Sequence, residues 1–157
     1  MSLGLTSQKL RALGVETLAV VATPVERARR YFKLRPPRCT VAADADLATH
    51  RAFGVPQLPM DEDLMRAVVA RQDELAGEIG LAVGPGGSRE ALDHADGIDH
   101  DEFRPDIKRH GAQAVGQFLI DRAGIIRWSN IEIELDGIAG VGGFPTDDEL
   151  LAAAKAL

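Results

Sequence analysis

The single thiol of this 157-residue chain is Cys39, in the run Arg35-Pro36-Pro37-Arg38-Cys39-Thr40. A thiolate is both a nucleophile and a redox centre, and neighbouring guanidinium charges favour it. Arg35 and Arg38 could supply those charges if they converge on the sulfur. Thiol redox enzymes commonly use a second cysteine to resolve the intermediate, and none stands two or three residues away. Cys39 is therefore the candidate catalytic residue, acting as a one-cysteine centre. The opposing reading is structural: Cys39 opens a stretch patterned as a core strand, where a free cysteine serves as a small buried hydrophobe.

His94, Asp96, Asp99, His100, Asp101, Glu102 and His110 form the one cluster with metal-ligand chemistry, since imidazole and carboxylate suit zinc and other divalent ions. His94 and His100 lie six residues apart and so share no helical face. The segment reads as a solvated acidic loop, and neither a metal nor another cofactor is expected. Gly84-Pro85-Gly86-Gly87-Ser88 lacks the lysine of a phosphate loop. Gly140, Gly142 and Gly143 read as the turn into the last helix, and Trp128 as core packing. No Gly-x-Ser-x-Gly elbow is present. Arg27, Arg29, Arg30, Lys33, Arg35 and Arg38 make a local basic stretch, but the chain carries a net charge of −6. That balance reads as a solvated helix face and argues against a nucleic-acid partner. One cysteine excludes an internal disulfide framework, as expected for a cytoplasmic chain. No apolar run approaches the roughly 20 residues of a membrane span, so no membrane partner is expected.

The elements that must position these residues alternate. Thr6 to Gly14 reads as the last turns of a helix, with Leu10 and Leu13 on one face and Gly14 as terminator. Val15 to Ala22 is an apolar run of the kind that forms a buried parallel strand. Thr23 and Pro24 then suit the cap and first turn of a helix over Val25 to Leu34, whose inner face is Ala28, Tyr31 and Phe32. A second strand spans Cys39 to Ala43, followed by a helix over Leu47 to Phe53 that Gly54 closes. Asp61 to Ile79 is patterned as a helix with Leu64, Val68, Val69, Leu75 and Ile79 as its apolar set. Gly116 to Asp121 and Ile125 to Glu132 flank the turn Arg122-Ala123-Gly124 as a hairpin. The last helix follows Pro145, with Thr146 and Glu149 spaced as a capping box.

Taken in order, Leu18-Ala19-Val20-Val21-Ala22-Thr23, Ala42-Ala43-Asp44-Ala45-Asp46, Ala52-Phe53-Gly54-Val55 and Gly116-Gln117-Phe118-Leu119-Ile120-Asp121-Arg122-Ala123-Gly124-Ile125-Ile126-Arg127, closed by Pro145 to Leu151, resemble the alkyl hydroperoxide reductase/thiol-specific antioxidant family within the peroxiredoxin and redoxin group. The resemblance covers roughly two thirds of the chain. It implies an α/β, thioredoxin-like three-layer sandwich, a mixed sheet with flanking helices, here without the N-terminal strand and most of the first helix. One domain over 1–157 is expected, with 55–112 as a long insertion before the C-terminal hairpin. The family's Pro-x-x-x-Thr-x-x-Cys or Cys-x-x-Cys run does not occur, and Val115 stands where the family carries a cis-proline or an arginine. No catalytic residue carries over.

Two functions follow as expectations. The resemblance implies a thiol-dependent peroxidase or disulfide oxidoreductase, an antioxidant activity drawing on a thiol reductant, with this chain inactive for want of the Cys motif. The alternative is a non-enzymatic binding or dimerisation module on the same scaffold. A sheet lacking a strand leaves an edge that invites pairing, so a homodimer is expected.

Overall fold

The computed structural model describes residues 3–81, 87–96, 105–106 and 108–157. They form an α/β protein of two compact units, one comprising Met1–Val55, Gly116–Ile131 and Phe144–Leu157, the other Pro56–Val115 and Glu132–Gly143. The second unit thus takes in the segment read as an insertion together with twelve residues that follow the hairpin.

In the first unit, helix α1 (Leu3–Ala12) ends where the amides of Leu13 and Val15 both donate to the Leu10 carbonyl. Gly14 takes a φ of +79°, a left-handed turn that glycine adopts without strain. Strand β1 (Leu18–Val21), helix α2 (Val25–Leu34) and strand β2 (Thr40–Ala43) form a parallel crossover with Leu18 opposite Thr40 and Val21 opposite Ala43. The apolar run therefore gives a parallel strand, but a shorter and less covered one than its composition predicts, for Leu18 is 60% exposed. The α2 cap is Pro24 rather than Thr23: the Pro24 carbonyl accepts from the amides of Arg27 and Ala28, and no side chain caps the helix. Helix α3 (Ala48–Ala52) is anchored by Asp44, whose carboxylate accepts from the Thr49 amide at 2.6 Å.

The hairpin pairs β5 (Gly116–Ile120) with β6 (Ile126–Ile131), antiparallel. Asp121 ties its turn by accepting from the amides of Ala123 and Ile125 at 2.9 and 3.0 Å. One hairpin face carries Leu119 into a buried cluster with Leu10, Leu150 and Ala154, against which Trp128 packs. The other face sets Phe118 against Phe53, their ring centroids 4.9 Å apart. The closing helix α6 (Asp147–Lys155) has the full capping box of Thr146 and Glu149.

In the second unit, β3 (Gln57–Leu58) pairs antiparallel with β4 (Ala112–Gln113). Helix α4 (Glu62–Glu78) starts at Asp61, which accepts from the Leu64 amide. Its buried residues are Leu64 and Ala76, whereas Val69 and Ile79 are exposed. Periodicity selected the large side chains, but helix α5 (Ser88–Asp96) packs against α4, and the small Ala76 of α4 is fully buried. Helix α5 lies where the sequence reads as loop and acidic linker. A 3₁₀ turn over Gly137–Gly140 completes this unit.

The expected single mixed sheet is replaced, among the described residues, by three two-stranded sheets: β1 with β2, β3 with β4, and β5 with β6. The physical reason is local. Among the described residues β1 is paired along one edge, by β2, and β5 with β6 alone, so no described strand joins the parallel pair to the hairpin.

Candidate functional site

Cys39 lies in the bend after Pro36 and Pro37, one residue before β2 begins, half-buried and in no disulfide. The strand thus starts at Thr40 rather than at the thiol. The two arginines that could act on it are engaged elsewhere at least in part. The Arg35 guanidinium lies over the Tyr31 ring, 5.0 Å from its centroid, a cation–π contact. The Arg38 stem lies so close to α1 that a Cβ on Gly4 would sit 3.2 Å from its Cδ. Ser7, buried in the same helix, donates its hydroxyl to the carbonyls of Gly4 and Arg38. These contacts hold the 35–38 segment on α1 and α2 and leave Cys39 beside it, the one thiol of the sequence.

The metal-ligand candidates do not come together. Asp99, His100, Asp101 and Glu102 lie outside the described residues, as does the side chain of Asp96. His94 is exposed in the last turn of α5. The carbonyl of His110 accepts from Gln57 Nε2 at 2.9 Å, while its own Nε2 is buried without a partner among the described residues. Among those residues no group of three histidine, cysteine or carboxylate side chains could hold a metal ion. Of the glycine loop, 84–86 lie outside the described residues. Its end is not a phosphate cradle: Ser88 is buried, and its hydroxyl donates to the Asp73 carboxylate, which ties the start of α5 to α4.

No family model, no curated protein and no solved structure matches this chain. Among the described residues, no helix is long and apolar enough to cross a membrane.

Two features of the structure were not read from the sequence. Gln117 and Asn130 face each other across the hairpin, and Gln117 Oε1 and Asn130 Nδ2 are both buried without a hydrogen-bond partner among the described residues. Both residues lie on the face that carries Leu119 and Trp128. Glu132, 7% exposed, spreads its carboxylate over two backbone amides: Oε2 accepts from Val115 at 2.8 Å and Oε1 from Gly142 at 2.6 Å. In the sequence Glu132 closes an alternating strand and looks like an ordinary solvent-facing residue. Only the glycines ten residues on hint at a chain returning to meet it.

Proposed function

We propose that this chain is a thioredoxin-like scaffold of the redoxin group, and that the residues present do not carry that group's peroxide- or disulfide-reducing chemistry. The observation that supports it is the pairing within the first unit. A parallel β1–α2–β2 crossover stands with an antiparallel β5–β6 hairpin and a capped terminal helix, in the order the resemblance implies. The chain has no cysteine pair, and its one thiol is half-buried and in no disulfide. A lone thiol in a protein of this type suits a reducing compartment, so we place it in the cytoplasm. The test is peroxide consumption by the purified chain with a dithiol donor, beside a Cys39→Ser variant. Neither protein should turn over. Turnover that disappears with the substitution would make Cys39 the working nucleophile and overturn the proposal.

A second reading, a binding module that associates with its own copies, draws on a different observation. The outer edge of β1 is unpaired among the described strands, and Leu18 on it is 60% exposed. Unpaired edges flanked by apolar side chains recruit further strands, so a homodimer is the expected state.

A further inference from the structure

Residues 132–143 leave the hairpin and return to their starting point, the geometry of an Ω-loop. The loop carries its own bonds: Gly137 N donates to the Ile133 carbonyl at 3.0 Å, Val141 N to Ile138 at 3.2 Å and Gly143 N to Gly140 at 2.9 Å. Its two arms touch so closely that a Cβ on Gly140 would lie 3.4 Å from the Ile133 Cα. Ile133 has a φ of +69°, a left-handed conformation that a β-branched side chain resists. Such strain persists only where the surroundings enforce it, and it collects at segments that switch. What enforces it here is Glu132. Its amide donates to the Val115 carbonyl at 2.9 Å while its carboxylate takes the amides of Val115 and Gly142. Leu135, at the loop's far end, is 90% exposed and adds no packing to hold the loop down.

We propose that residues 132–143 form a strap that opens as one unit, and that the Glu132 carboxylate is its latch. The strained Ile133 favours release, the two charge-assisted bonds to Val115 and Gly142 oppose it, and the internal turns, which close only while the two arms are held together, come apart with the latch. Glu132 is a positioning residue here, and the opened state frees the Val115 amide and uncovers the Arg71 stem against which Gly142 sits.

The test is residue-resolved amide hydrogen exchange on the full chain, wild type beside Glu132→Gln, with Glu134→Gln as the control for loss of a neighbouring carboxylate. Glutamine keeps one acceptor oxygen and turns an amide NH2, a donor, toward the other N–H, so one of the two latch bonds is lost. The amides of Val115, Gly137, Val141, Gly142 and Gly143 should then exchange faster together, by a common factor of about ten or more. The amides of β5 and α6 should be unchanged, and Glu134→Gln should behave as wild type. Gly142→Ala reaches the same state by another route, because a Cβ there would lie 2.7 Å from Arg71 Cγ at a φ of +72°. If only Val115 and Gly142 quicken in both variants, the segment is a set of independent turns and the strap is refuted. If β5 and α6 quicken equally with it, Glu132 supports the whole fold and is no latch.

Discussion

Asp147 shows how one side chain can join the two ends of a chain. Its carboxylate accepts from Lys9 Nζ at 2.5 Å and from the hydroxyl of the fully buried Thr6 at 2.7 Å. The Lys9 bond and then the Thr6 bond hold its carboxyl below the ordinary 3.8. A depressed carboxyl binds its proton less readily in the folded state than in the unfolded chain. Its contribution is therefore complete above 3.8 and is lost as the pH falls through the depressed value. Lys9 has the opposite sign: Asp147 raises it above 10.5, so its share is present below that pH and is lost as the pH rises through the raised value. Denaturation midpoints measured from pH 7 to pH 2 should fall less steeply for Asp147→Asn than for wild type. Parallel curves would show that the pair contributes nothing, as exposed pairs often do. At this scale the sequence exposed the residue types but not their meetings. Thr6 and Asp147 are 141 positions apart, and no local pattern pairs them.

Among the elements, the strongest agreement between pattern and fold is α6. Thr146 accepts from the Glu149 amide at 3.2 Å, and the Glu149 carboxylate returns to the Thr146 amide at 2.8 Å. The box is made within four residues, so tertiary context had little to overrule. Thr146→Ala should cost about 1 kcal/mol in a denaturant titration, and an unchanged midpoint would mean the helix is held by Leu150 and Ala154 alone. The hairpin was legible for the same local reason: an acidic residue, a glycine and two apolar runs define the turn. Helix α4 was legible in extent and not in face. Its period names Val69 and Ile79, yet the small Ala76 is fully buried, and α5, which packs on α4, is polar enough that composition marks it as a loop. Which stripe of a helix is buried depends on what arrives to cover it.

For the whole molecule the open question is the edge of β1. A two-stranded sheet is marginal in water, and a third strand adds backbone hydrogen bonds and covered apolar surface. Sedimentation across a wide concentration range should show a dimer–monomer equilibrium, and Leu18→Lys should shift it to monomer by setting a charge on the edge. A monomer at every concentration would remove the association reading and leave the redoxin-scaffold proposal as it stands.

What the sequence determined is the local order: strand, helix, strand, helix, hairpin and capped helix, together with Cys39 as the sole thiol. These follow from backbone propensity, turn chemistry and apolar period, which act over a few residues and are written in consecutive letters. The tertiary structure decided the rest. It placed Arg35 on Tyr31 and the Arg38 stem on α1, and among the described residues it divided the strands into three pairs instead of one sheet. It also buried the carboxylate of Glu132 on the amides of Val115 and Gly142. Each of these depends on which distant surfaces meet. A hydrogen bond or an ion pair formed across a long stretch of chain leaves no period in the sequence, because either partner looks like an ordinary polar residue until the fold brings the other to it.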